Sequence, residues 1–255
     1  MHGRISNFRD QQLRNAGVTA LWCSGPLAAD LHNDEVHIWA ACLEINRAQL
    51  ERLEATLAPD ERAHGMSMRF VRDRSCFIAA RGILRDILGR YLRCAPNSLK
   101  FSYNSAGKPA LAIEADNHEL RFNLSHSDGI ALYAVSMREV GIDVEHIQPH
   151  LAEKRIAERF FSTNEISAFY GLPSSVQVEA FFHYWTTKEA YIKARGEGFR
   201  IPTDSPTLSL APNKSAGLVS GDCRWSFQSL TPAPGYVGSV VAKGSNWRVR
   251  LWKWE

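Results

Sequence analysis

The sequence predicts an α+β fold whose two halves follow a similar plan. Three observations lead there. Strand-like alternation and helix-like periodicity succeed each other twice in the same rough order: a strand, then amphipathic or basic helices, then several short strands. A helical stretch at 181–201, FFHYWTTKEAYIKARGEGFRI, carries charged residues along an apolar side. A strand at 140–145, VGIDVE, sets two carboxylates on one face. No sequence repeat accompanies the repeated order. The expected division is an N-terminal α/β subdomain over 1–137, with 1–34 as an extension, and a C-terminal one over 138–255 that carries the main acidic motifs.

Composition excludes several classes. With 255 residues, 45% hydrophobic and 22% charged, the chain is an ordinary globular protein, long enough for one large domain or two modest ones. It has no apolar run of membrane-spanning length, and its start, MHGRISNFRDQQ, has no signal-peptide core. Five scattered cysteines without a C-x-x-C argue against a disulfide framework or zinc site and for a reducing, cytoplasmic setting. A net charge of +3 is too mild for a nucleic-acid binder, yet it allows a local basic patch for a phosphate-rich ligand or an acidic partner.

The elements follow in order. Residues 35–46 alternate as a strand, and 47–57 place Leu50, Leu53 and Leu57 at helical spacing. Pro59, Asp60 and Glu61 signal a helix start. The helical stretch that follows, 59–93 with a break, is densely basic, so its arginines or His64 are candidates to hold a phosphate. Short strands at 99–103 and 110–113 flank the turn NSAGKP, where Lys108 could meet a phosphate. A strand at 120–124 runs into Ser125, His126, Ser127, Asp128 and Gly129, and 130–135 forms the next. Helices are expected at 150–161, after Ser162 with Glu165 as a capping box, and from Ser174 or Ser175 onward. Beyond Pro206 the pattern turns to strands at 207–210, 225–230, 237–242 and 247–254.

The chemistry gathers on two of these elements. On the long helix Phe182, Trp185, Glu189 and Lys193 step by three and four and share a side. Alone, Glu189 and Lys193 read as a common surface ion pair. On the strand, Asp143 and Glu145 repel each other unless solvated, protonated or bridged by a cation, and alone they read as the wet face of an edge strand. A third carboxylate from a helix would make an oxygen-rich site suited to a hard ion such as Mg²⁺ rather than zinc.

Five motifs, in this order and spacing, resemble those of the Sfp-type 4′-phosphopantetheinyl transferases: GKP (107–109), FNLSHSDG (122–129), GIDVE (141–145), RFFS (159–162) and WTTKEAYIKARGEGF (185–199). The resemblance spans about 59–199. It implies two pseudo-twofold-related α/β subdomains with the active site in the cleft between them. It also implies holo-[acyl-carrier-protein] synthase activity: the phosphopantetheine arm of coenzyme A moves to a serine of an apo acyl or peptidyl carrier protein, Mg²⁺ assists, and adenosine 3′,5′-bisphosphate leaves. By motif, Asp143, Glu145 and Glu189 would hold the metal. Lys108, Ser125, His126, Asp143, Lys188 and Lys193 would contact the coenzyme, with Glu189 and Lys193 as catalytic groups.

At the turn where the resemblance implies a Lys or Arg for a coenzyme phosphate, His64 stands here, so either Arg62 or Arg69 substitutes or coenzyme affinity is weaker. Arg155, Arg159 and Tyr170 are candidates for the carrier-docking face. The expected protein is a monomer with neither nucleic-acid nor membrane partners. Two rival functions use the same residues: a Mg²⁺-dependent diphosphate hydrolase acting on coenzyme A, and a carrier-binding module without chemistry.

Overall fold

In the computed structural model, which describes residues 22–112, 120–152, 154–198, 207–209, 217–220 and 224–255, two β-sheets lie between two long helices. The first sheet has five strands in the order β1-β12-β2-β6-β5: β1 (Cys23–Ser24), β12 (Arg248–Lys253), β2 (Glu35–Cys42), β6 (Ile130–Ser136) and β5 (Arg121–Ser127). The second has three, β10 (Trp225–Leu230), β11 (Tyr236–Lys243) and β7 (Val140–His146). Two-stranded ribbons pair β3 (Phe101–Tyr103) with β4 (Pro109–Leu111), and β8 (Thr207–Ser209) with β9 (Gly217–Ser220).

Alternation on the strands builds the layers. Val36, Ile38 and Ala40 of β2 and Leu132 and Ala134 of β6 meet Ile142 and Val144 of β7 and Val240 of β11, forming a core between the sheets. The opposite face of the five-stranded sheet, through Trp39, Tyr133 and Phe122, packs on α1 (Arg47–Glu54) and on α3 (Val71–Leu92). The outer side of the three-stranded sheet packs on α6 (Ser174–Arg195). Helices α3 and α6 each run 22 residues, one for each sheet.

The basic stretch expected at 59–93 is interrupted, as anticipated. Helix α2 (Pro59–Ser67) ends before α3 begins. Glu61 is buried there between Arg81 and Arg85, which settles two of the arginines as partners of a core carboxylate rather than of a ligand. Helix α4 (Lys154–Phe160) leads to α5 (Thr163–Tyr170), whose N-terminus carries the capping box: Ser162 Oγ accepts from Glu165 N, and Glu165 Oε2 accepts from Ser162 N.

Two features differ from the sequence expectation. Ser125 and His126 lie inside β5 instead of beyond its end. The last strand, β12, returns to the first sheet and runs parallel to β2 on one side and β1 on the other. No helix among the described residues is long and apolar enough to cross a membrane. Cys23, Cys42, Cys76 and Cys94 are not disulfide-bonded, and Cys223 and residues 1–21 lie outside the described residues.

Candidate active site at the seam between the sheets

The two sheets meet along their edge strands, β5 and β7, where side chains replace the backbone ladder. Asn123, Ser125 and Ser127 lie at every second position of β5 and therefore point the same way. Asn123 Oδ1 accepts from Ile142 N at 2.9 Å, Ser125 Oγ donates to Asp143 Oδ1 at 2.7 Å, and Ser127 Oγ donates to Glu145 Oε2 at 2.7 Å. Three rungs thus hold the strands in register.

Helix α6 closes the site from the other side. It approaches β7 so nearly that a Cβ on Gly141 would stand 2.1 Å from Ala190 O and 2.3 Å from Ala194 N. The glycine of GIDVE is therefore required by helix–strand contact. That contact brings a half-buried stripe of α6, Trp185, Glu189 and Lys193 at four-residue spacing, onto the carboxylates. Lys193 Nζ donates to Asp143 Oδ1 at 2.7 Å and to Ser125 Oγ at 2.9 Å.

The electrostatics record a crowded acidic site. Burial, then the Asp143 charge, pushes Glu189 above the usual carboxylate range. Burial raises Glu145 as well, Asp143 adds to the rise, and hydrogen bonds from Ser127 and Trp185 partly oppose it. Desolvation by the surrounding protein, then the Lys193 charge, lowers the His126 imidazole from its ordinary value even though the residue reaches the surface.

At the far end of α6, Gly196 caps the helix at φ 68°. The NSAGKP turn docks there. Asn104 Nδ2 donates to Gly196 O at 2.7 Å, while Lys108 Nζ donates to Val140 O and Ala194 O, each at 3.1 Å. Burial lowers Lys108 to about 8. Beside this anchor opens a cavity of about 290 Å³ whose lining includes Lys108, Pro109, Arg121, Glu139 and Arg195.

Comparison with known proteins places the chain. Two family models match in succession, "4′-phosphopantetheinyl transferase, N-terminal" over residues 43–138 and "4′-phosphopantetheinyl transferase superfamily" over 139–241. The 4′-phosphopantetheinyl transferase HetI of Nostoc sp. is 39% identical over 232 residues, 91% of this chain and 97% of that protein. The chain belongs to the 4′-phosphopantetheinyl transferases. Transferase psf-1 of Bacillus pumilus is 33% identical over 73% of this chain and 80% of its own length. Transferase Sfp of Bacillus subtilis is 29% identical over 78% of this chain and 87% of its own length. The Sfp-type resemblance of the motifs is therefore a family membership, and this phosphopantetheinyl transferase is an enzyme of that type.

The remaining candidates lie as follows in the transferase. Lys188 Nζ pairs with Glu165 Oε2 at 2.9 Å, both side chains almost wholly buried, while Glu165 Oε1 accepts from Leu208 N. The ammonium of Lys188 is thus engaged in the interior between α6 and α5. Arg62 donates to Ala55 O, Arg69 lies 5.4 Å over the Phe70 ring, and His64 packs edge-on against Phe77, contacts that stay within residues 55–77. The side chain of Arg155 is outside the described set; Arg159 stacks on Phe160, and Tyr170 is exposed.

Sequence reasoning named two further residues without their contacts. Ser127 shares the two-residue period of Asn123 and Ser125, and that signal could have found its contact. Arg72 donates to Asp128 Oδ1 at 3.0 Å, tying α3 to the SHSDG turn. No local pattern marks that pair.

The site's fit to a divalent ion rests on its donors. Asp143 Oδ2 is buried and takes no hydrogen bond, and Glu145 and Glu189 are both raised by burial and by neighbouring negative charge. These are hard oxygen ligands in a site where carboxylates outnumber the one nearby lysine, which suits Mg²⁺. Among the described residues, no group of three or more acidic, histidine or cysteine side chains converges on one point, and Lys193 supplies Asp143 with its counter-charge. The chemistry of the donor set fits the ion.

Proposed function

We propose that this transferase moves the 4′-phosphopantetheine group of coenzyme A to a serine hydroxyl of an apo acyl or peptidyl carrier protein, with release of adenosine 3′,5′-bisphosphate. The observation that carries the reading is the meeting of Asp143 with Ser125 and Lys193 at 2.7 Å each, beside Glu145 and Glu189. One buried carboxylate joins a strand, a second strand and a helix. The surrounding groups are those a metal-bound diphosphate needs.

Asp143, Glu145 and Glu189 are the residues that would hold Mg²⁺, which neutralises diphosphate charge when bound. Ser125 and His126 offer hydrogen bonds to the coenzyme's phosphates. Glu189, raised by burial and by Asp143, or a water it orients, takes the proton of the attacking serine. Lys193 steadies the phosphate that leaves with the nucleotide. Lys108, bonded to two carbonyls, holds the GKP turn against α6, and the adjoining cationic cavity suits the nucleotide end. Arg62, Arg69 or His64 would read the 3′-phosphate; equal affinity for coenzyme A and its 3′-dephospho form would remove them from that role.

The test is incubation with coenzyme A, Mg²⁺ and a panel of apo carrier proteins, read by intact mass. The expected result is a phosphopantetheine gain on carrier alone. Coenzyme consumption without carrier would indicate the hydrolase, and retention of carrier without a mass gain the binding module.

A further inference from the structure

The turn between β5 and β6 is held from three sides. Asp128 and Gly129 form its two-residue tip at φ 40° and 86°, the left-handed pair that an Asp-Gly hairpin turn favours. The Tyr236 hydroxyl of β11 donates to Asp128 O at 2.8 Å. Arg72 of α3 donates to Asp128 Oδ1 at 3.0 Å, and His146 Nδ1 of β7 lies 3.1 Å from Asp128 Oδ2. The His146 and Tyr236 rings pack at 4.7 Å, so the holding groups brace each other.

The residue just before this tip is Ser127. Its hydroxyl oxygen accepts from His146 N at 3.2 Å, and its proton is thereby directed to Glu145 Oε2 at 2.7 Å. Glu145 thus has one oxygen fixed from the neighbouring sheet.

We infer that Ser127 is a positioning residue: held in register by the Asp128 turn, it orients Glu145 toward the divalent ion. The inference rests on the proposed role of Glu145 as a metal ligand. A glutamate already pinned at one oxygen loses less rotamer freedom when the ion arrives, and partners of this kind typically govern metal affinity about 10- to 100-fold.

The experiment titrates the full-length protein with Mn²⁺ in the presence of coenzyme A, followed by electron paramagnetic resonance. Ser127→Ala should weaken Mn²⁺ binding about 10-fold or more, whereas Ser127→Thr, which keeps the hydroxyl, should stay within about twofold of the parent. Tyr236→Phe removes the bond to Asp128 O and should weaken binding in the same direction by less. In transfer assays Ser127→Ala should lower kcat and leave the KM for carrier unchanged.

Parent-like Mn²⁺ affinity in Ser127→Ala would overturn the inference, as would an equal loss in the Ala and Thr variants. Should Ser127→Ala not fold, Tyr236→Phe decides alone, and parent-like binding there overturns it. A parent protein that binds Mn²⁺ but modifies no carrier refutes the transferase reading and leaves this inference to the titrations. A parent that binds no Mn²⁺ refutes both.

Discussion

Asp143 and Lys193, fifty positions apart, meet at 2.7 Å across the gap between β7 and α6. The aspartate is almost wholly buried, while the lysine keeps 30% of its side chain exposed. A buried carboxylate beside a partly exposed ammonium is stable and still reachable by a phosphate. The same lysine also reaches Ser125 on the opposite sheet, so one cation touches both sides of the seam.

Asp143→Asn keeps the size of the side chain and removes its charge. Transfer should fall by about 10³-fold while the fold is retained. Steady-state assay with circular dichroism checks both parts. Near-parental turnover would remove Asp143 from the mechanism.

Lys188 and Lys193 lie five residues apart in one motif and should behave in different ways. Lys188→Met breaks the buried pair with Glu165 and should cost about 3 kcal/mol of stability, leaving coenzyme affinity unchanged. Lys193→Ala leaves the buried Asp143 carboxylate without its counter-charge and should also lower Tm, but unlike Lys188→Met it should weaken coenzyme binding and lower transfer by about 10²-fold or more. Urea unfolding and coenzyme titration of the two variants separate these outcomes.

Gly141→Ala introduces a methyl group into backbone atoms of α6 at 2.1 and 2.3 Å. The helix must move or the protein must strain, and the expected loss is about 3 kcal/mol. Activity should fall further than stability alone explains, because the same contact seats Lys193 on Asp143. Unfolding and activity measured below the variant's Tm test this.

Lys108 carries a pH signature. Burial lowers it from 10.5 to about 8 in the folded protein. Below pH 8 both folded and unfolded forms hold the proton, so the cost of burying the charge is complete. Between pH 8 and 10.5 the folded protein releases its proton first, and stability rises with pH. Relative to Lys108→Met, the parent should therefore gain up to about 3 kcal/mol across that window, less whatever the two carbonyl bonds return to the charged form. Urea unfolding of both proteins at pH 7.5 and 10 checks the sign. No relative gain would show that those carbonyls hold the charge unperturbed.

Much of the local structure was readable from the chain. VGIDVE alternates, and β7 forms there. Ser162 with Glu165 predicted a capping box, and both of its hydrogen bonds are present. Gly196 predicted the end of the long helix and caps it in the left-handed conformation. Where reading stopped short, the cause was nonlocal. Ser125 and His126 looked like loop residues because Ser125 faces another sheet's edge and His126, on the opposite face of β5, is exposed, so neither meets apolar core. The return of β12 to a parallel place beside β2 joins positions more than 200 residues apart, with no turn chemistry to announce it.

By itself, then, the sequence determined the kinds of donor available and the faces they share, since strand and helix periods depend only on neighbours along the chain. Tertiary structure alone decided which charges meet. It turned Lys188 inward to Glu165, Lys108 onto two carbonyls and Lys193 onto Asp143, because the energy of a charge depends on what surrounds it in space, and residues of one motif can face quite different surroundings.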